Sequence, residues 1–388
     1  MHVVRVLPDV AGLDKEFDYS VPPELEAEIG IGSRVRVDLH GRRVGGWVVA
    51  VGVEPHAGIT LRSVAKVTGW GPSADVVDLA RWAAWRWAGR PSALLKAASP
   101  ERAVRALPTN APAAGPERGP ESRPHSGAAE QPYGPGRTLV RVAPAADRMP
   151  VIRAVLRQGP ALIVAPSSAE AAELGRRLRR DGEPVAVLPE GWAAARAGSC
   201  TVVGARSAAW APAPDAAAMV VLDAHDEVHQ EERAPTWHVR DVLGERAARA
   251  GVACLAVTPC PDLATVAWAD RSAAVDRAVE REGWPIGEVI DLREEDPANG
   301  LLSSRLTTLV RGDQRVLCVL NRKGRARLLA CSGCQEVARC ELCDAAVTQV
   351  AAGWCAPGAA APDPSCARPA AASACACFAP VSAGSATS

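Results

Sequence analysis

Pro160-Ala161-Leu162-Ile163-Val164-Ala165-Pro166, followed by Ser167-Ser168 and the run Ala169–Arg180, decides how the larger part of this chain folds. An unbroken apolar run between two prolines reads as a short strand covered on both faces. The serines supply a helix N-cap, so the next stretch reads as a helix. Working outward, Thr201-Val202-Val203-Gly204, Met219-Val220-Val221-Leu222-Asp223 and Ala253-Cys254-Leu255-Ala256-Val257 repeat the strand signature. Strands alternating with helices predict a parallel, doubly wound α/β lobe over 137–276.

The N-terminal part has a different rhythm. Val35-Arg36-Val37-Asp38-Leu39 alternates, and Gly46-Trp47-Val48-Val49-Ala50-Val51 is a buried-strand run after a Gly-rich turn. A small β-barrel-like domain is expected over 1–105. Within it, 74–97 is helical in pattern. Val77, Leu79, Trp82, Trp85 and Trp87 recur near helical spacing, which predicts core positions rather than a base-stacking surface. Residues 106–136 are rich in Pro, Gly, Ala, Ser and charge, the composition of a disordered linker. Gly287–Leu292 and Arg315–Leu320 give two further strand signals, expected to open a second lobe over 277–330. A Cys-rich segment, 331–350, and an Ala/Pro/Gly/Ser/Cys tail, 351–388, follow.

The chain has 44 basic and 44 acidic residues, so net charge gives no sign of nucleic-acid affinity, although local basic patches are compatible with it. No apolar run is long and charge-free enough to span a membrane. Met1-His2-Val3-Val4-Arg5 lacks the layout of a signal peptide, and a cytoplasmic protein is expected. Its cysteines are then thiols or metal ligands rather than disulfides.

Cys331-Ser-Gly-Cys334, five residues, then Cys340-Glu-Leu-Cys343 is the sharpest motif. Each CxxC turn offers two thiolates at a bite suited to tetrahedral Zn²⁺. The competing readings are a reduced, solvent-exposed Cys cluster and a redox pair, and no thioredoxin-like βαβ context flanks the motif. Asp223 ends a predicted strand, where a P-loop NTPase holds Mg²⁺; an ordinary strand-end Asp is the bland alternative. ATP chemistry also needs a Gly-rich loop with Lys and Ser/Thr. The segment in its place, Leu139–Met149, has no Gly and no Lys. His225, His229 and His238 are expected to be polar surface residues rather than ligands. Phe17-Asp18-Tyr19 with Pro22, then Gly32-Ser33-Arg34-Val35-Arg36-Val37, reads on chemistry alone as a strand pair with a polar turn.

In order along the chain, these pieces resemble the PriA family (primosomal protein N′). That family has F-D-Y-x-x-P then G-x-R-V-x-V, as at Phe17–Pro22 and Gly32–Val37. Gly204-Ala205-Arg206-Ser207-Ala208 is similar to its G-T-R-S-A, Asp223-Ala224-His225-Asp226 to D-E-E-H, Thr258-Pro259 to the end of S-A-T-P, and Asn321-Arg322-Lys323-Gly324 to N-R-R-G. The resemblance implies a domain that binds the 3′ end of nascent DNA at arrested forks. Its contacts map onto Asp18, Tyr19, Gly41 and Arg62. Asp18 would accept a hydrogen bond from a terminal 3′-hydroxyl, Arg62 would hold phosphate, and Gly41 would let backbone approach the sugar. The implied partners are forked DNA, other primosome proteins, single-stranded DNA-binding protein and the factors that load the replicative helicase. The implied cofactor is Zn²⁺, two ions each shared between an early and a late CxxC pair.

Two departures qualify what the resemblance implies. The phosphate loop is missing and Ala224 stands where the family has its catalytic Glu, so the expectation is a scaffold without helicase activity. A working ATP-dependent 3′–5′ helicase and a zinc-ribbon interaction module are the alternatives. In the tail, GC-rich back-translation of 351–388 re-read from the third codon base is compatible with the family's two late CxxC pairs. A frameshifted tail is the favoured reading over a natural low-complexity tail, and in it Cys355, Cys366, Cys375 and Cys377 are not evolved ligands.

Overall fold

A computed structural model describes residues 2–55, 60–109, 133–273, 277–292 and 302–319, together with four three-residue strand segments beyond position 328. Residues 1–285 pack as one compact unit and 286–388 as a second.

The chain opens with a curled six-stranded sheet in the order β5-β2-β1-β4-β3-β6. Its strands are β1 (Val3–Pro8), β2 (Phe17–Ser20), β3 (Arg34–Leu39), β4 (Arg42–Val51), β5 (Arg62–Ser63) and β6 (Lys66–Gly69). Alternation along the strands assigns the faces. Val4, Val6, Tyr19, Val35, Val37 and Val48 fill the inside of the curl. Leu7, Trp47 and Val49 point the other way and join a second core. The Gly32 of the G-x-R-V run is required by space: its φ is +88°, and a Cβ there would lie 1.7 Å from the Pro72 carbonyl oxygen.

The helical stretch after the sheet is two helices, α1 (Ala74–Arg86) and α2 (Pro91–Ala98). They part at Ala88, whose φ is +47°. That break changes the expectation for the tryptophans. Trp82 and Trp87 are half-buried and meet edge to face with centroids 5.3 Å apart, but Trp85 is 79% exposed. A helix presents one face to a core, and Trp85 sits off the Val76–Val77–Leu79–Ala80–Ala83 stripe.

The lobe that follows is a seven-stranded, all-parallel sheet in the order β13-β7-β12-β11-β8-β10-β9. Its strands are β7 (Gly136–Arg141), β8 (Ala161–Val164), β9 (Val185–Val187), β10 (Thr201–Gly204), β11 (Ala218–Leu222), β12 (Ala253–Thr258) and β13 (Arg271–Ser272). Ser167 caps α4 (Ser168–Arg180), its side chain accepting the Glu170 N–H. Both sheet faces are covered, as an apolar parallel sheet requires. Ile163, Val203, Val220, Leu255 and Val257 face α3 (Met149–Leu156) and α4. Leu162, Val164, Val202, Met219, Val221 and Ala256 face a core that includes α6 (Val239–Ala250) and also α1 and α2. The N-terminal helices thus supply part of the cover for the parallel sheet. The Trp192 indole N–H donates to the Ala98 carbonyl at 3.0 Å, and Trp210, fully buried, meets Trp237 edge to face. Truncating a residue so placed costs about 3–5 kcal/mol.

Two expectations are corrected here. His229 is fully buried, its Nε2 2.8 Å from the Leu222 carbonyl oxygen, and His238 is half-buried as the N-cap of α6. Neither is a surface residue. The strand signals at 287–292 and 315–320 form no strand among their described residues. Ile286 and Val289 are 100% and 98% exposed, and Leu317 and Val319 are also open. Strand propensity is realised only against a partner strand, and none pairs with them there.

Candidate functional site

The sequence-assigned residues of the N-terminal domain come together around one cleft of about 520 Å³. Arg5, Lys15, Glu16, Phe17, Asp18, Tyr19, Asp38, His40 and Arg62 line it, with Leu39, Thr60 and Leu61. Register explains the convergence. β2 lies between β1 and β5, so Asp18 sits opposite Arg5 and Tyr19 beside Arg62. β3 and β4 meet in a two-residue turn at His40 and Gly41, with φ of +50° and +79°, the backbone of a type I′ hairpin. Gly41 fits that geometry without strain.

Asp18 is held by a two-pronged contact. Arg5 Nε donates to Oδ1 at 2.8 Å and Nη2 to Oδ2 at 3.3 Å. The hydrogen bond that Arg5 donates to Asp18 raises the Arg5 pKa. Tyr19 is buried, which raises its hydroxyl pKa, and its O–H donates to the Asp38 carbonyl at 3.1 Å. Arg62 forms an ion pair with Asp38, whose Oδ1 also accepts the Gly41 N–H at 3.1 Å. Lys15 lies 5.6 Å from the centre of the Phe17 ring. Arg5, Lys15 and Asp38 carry no motif signal; only the cross-strand register finds them.

The carboxyl ends of the parallel strands form the second candidate region. Asp223 follows β11 with a φ of +49° and is almost buried. Its carboxylate pairs with Arg148, which stands at the N-cap of α3, at the end of the loop where a phosphate cradle would lie. The preceding residue, Asp147, accepts the Met149 N–H at 3.0 Å and pairs with Arg177 of α4 at 2.7 Å. Partial burial works against the charged form of Asp147, but Arg177 and the backbone donor outweigh it, so its pKa falls below the usual value. Ala224 is fully buried in the core, with its N–H on the Val257 carbonyl. Other residues of the sequence motifs are engaged locally. Arg206 Nη1 donates to the Val228 and Gln230 carbonyls at 3.0 and 2.8 Å, and His225 Nδ1 lies 2.8 Å from Thr258 Oγ1.

The zinc candidates Cys334, Cys340 and Cys343 lie outside the described residues, as does the side chain of Cys331. Among the described residues no group of His, Cys, Asp or Glu is arranged to hold a metal ion, and no helix is long and apolar enough to cross a membrane.

Residues 5–100 match a protein family described as the 3′DNA-binding domain (3′BD) of PriA. A Mycobacterium leprae protein named Probable replication restart protein PriA is 29% identical over 89% of this chain and 61% of its own length. A Mycobacterium tuberculosis protein of the same name is 28% identical over 89% of this chain and 60% of its own. Replication restart protein PriA of Bacillus subtilis is 28% identical over 38% of this chain and 20% of its own. The chain thus spans about 60% of the length of the mycobacterial relatives. The cleft lies inside the matched 3′BD segment and the mycobacterial alignments run through the parallel lobe as well, so both parts of the chain are similar to replication restart protein PriA.

Proposed function

We propose that this protein binds arrested forks through the 3′ end of nascent DNA and helps assemble the primosome, without hydrolysing ATP. The observation that carries the first half is the cleft. Asp18, Tyr19 and Arg62 line it, and Gly41 turns the chain at its edge. A 3′-terminal nucleotide differs from an internal one by a free hydroxyl, a hydrogen-bond donor. Asp18, kept as a carboxylate acceptor by Arg5, supplies the complementary group. A strand without that donor leaves the acceptor unmatched, which is how one polar contact discriminates strongly.

The second half rests on the Arg148–Asp223 pair and on Ala224. Phosphoryl transfer depends on cations and backbone N–H groups aimed at the phosphates, with Mg²⁺ on the strand-end Asp. In this chain that Asp already has a guanidinium partner, and the neighbouring loop carries Asp147 rather than a lysine. An ATP-dependent helicase is the alternative reading. Zn²⁺ on Cys331, Cys334, Cys340 and Cys343 is proposed from their spacing alone. The primosome partners are proposed from the resemblance of the motifs to the PriA family.

Titration of the protein with a fork carrying a free 3′-hydroxyl, against the same fork with a blocked end, tests the reading. A clear preference for the free end supports it, and equal binding overturns it. ATP turnover stimulated by either fork would restore the helicase alternative.

A further inference from the structure

Asp38, near the end of β3, carries no motif, yet three of the four residues assigned to the cleft meet at it. Its carbonyl accepts the Tyr19 hydroxyl at 3.1 Å, and its Oδ1 takes both the Gly41 N–H and the Arg62 guanidinium. The first two contacts are architectural. The third is an ion pair, and it differs in kind from the other ion pair in the cleft. In the Arg5–Asp18 pair the side chains are 29% and 9% exposed, and the carboxylate is gripped at both oxygens. In the Arg62–Asp38 pair they are 58% and 39% exposed.

A pair that open to water is weak, and a phosphate offers a guanidinium a partner at least as good. The other cleft charges do not compete for this role. Glu16 is bonded to Arg81 at 3.0 Å, and Lys15 rests against the Phe17 ring. Building on the 3′-end reading above, the geometry points to Asp38 as a resident anion that competes with DNA phosphate for Arg62 and so sets the affinity of the cleft. In the free protein Asp38 holds Arg62 across the cleft. When a strand end enters, Arg62 exchanges the carboxylate for a phosphate oxygen, while Asp38 keeps the Gly41 N–H and takes up water. The exchange lowers the net gain from phosphate, so that discrimination rests on Asp18 rather than on charge.

Asp38→Asn removes the charge but keeps an oxygen for the Gly41 N–H, and Asp38→Ser is a second variant of the same kind. Wild type, both variants, Arg62→Ala and the Asp38→Asn/Arg62→Ala double variant would be titrated with a 3′-hydroxyl-tailed oligonucleotide over a range of NaCl. The variants at Asp38 should bind more tightly at low salt, by up to about fivefold. Their salt dependence should steepen by up to about one ion. The gain should vanish when Arg62 is absent. Unchanged or weaker binding by the Asp38 variants, with wild type still preferring a free end, overturns this inference and leaves the 3′-end reading standing. A gain that survives Arg62→Ala overturns it too. Wild type that ignores the 3′ end overturns both.

Discussion

The N-terminal cleft and the strand-end edge of the parallel sheet differ in one ion pair: Arg62–Asp38 of the cleft is open to water, whereas Arg148–Asp223 of the edge, like the cleft's own Arg5–Asp18 pair, is largely withdrawn from it. In the cleft, Arg62 and Asp38 are solvent-exposed and their pairing is exchangeable. At the sheet edge, Asp223 is almost buried against Arg148, and Ala224 lies in the core. A buried pair resists separation because either partner left alone loses both solvent and counter-ion. The cleft thus keeps one guanidinium–carboxylate pair within reach of solvent, while the pair at the sheet edge is shielded by its surroundings.

The largest effect should come from forcing the closed region open. Ala224→Glu puts a carboxylate into a fully buried position, and should destabilise the protein by about 3–5 kcal/mol without creating ATP turnover. Thermal melting with a parallel ATPase assay checks both. A stable, ATP-hydrolysing variant would mean that the region is not closed.

Next in size is the loss of end recognition. Asp18→Ala should cost about 1.5–3 kcal/mol of preference for a free 3′-hydroxyl, while binding to blunt duplex stays nearly constant. If variant and wild type discriminate alike, Asp18 merely fastens β2 to β1 through Arg5.

Acid should distinguish the two regions through the lobe's histidines. Burial lowers the pKa of His229 and, with Arg240 adding to it, takes that of His238 down to about 4 from an ordinary 6.5. A base with a lowered folded-state pKa stabilises the fold fully above its unfolded pKa. That contribution declines as pH falls from about 6.5 towards 4, where the unfolded chain binds more protons. His238→Asn keeps an acceptor for the Arg240 N–H and should flatten the decline in melting temperature over this window. An unchanged slope would mean that His238 is not the group responsible.

The smallest expected signal is zinc. On the proposal that the tail cysteines are not ligands, the two early CxxC pairs can close at most one four-ligand site. Metal analysis after dialysis against a mild chelator should find one equivalent or fewer. Two retained equivalents would make ligands of the tail cysteines.

Much of the fold was legible because it is written locally. The apolar runs at 161–165 and 201–204 and the Ser167 cap state the βα units outright, and β8, β10 and α4 lie where they predict. What was not legible is non-local. Arg5 becomes Asp18's partner through the register of β1 on β2, 13 residues apart in sequence. Asp38 reads as one polar residue in an alternating strand until the turn and β5 bring Gly41 and Arg62 to it. The burial of His229 depends on the Leu222 carbonyl and the core around β11, which no local pattern announces. The exposure of Trp85 follows from its place on α1, off the face that Val76, Val77, Leu79, Ala80 and Ala83 turn to the core.

The central claim is that end recognition persists while nucleotide chemistry is shut. One titration examines both: fork DNA with a free or a blocked 3′ end, each with and without ATP at constant Mg²⁺ and ionic strength, read by fluorescence anisotropy. Tighter binding to the free end is expected, with the same affinities whether or not ATP is present. Equal affinity for the two forks, or an affinity that shifts when ATP is added, would contradict it.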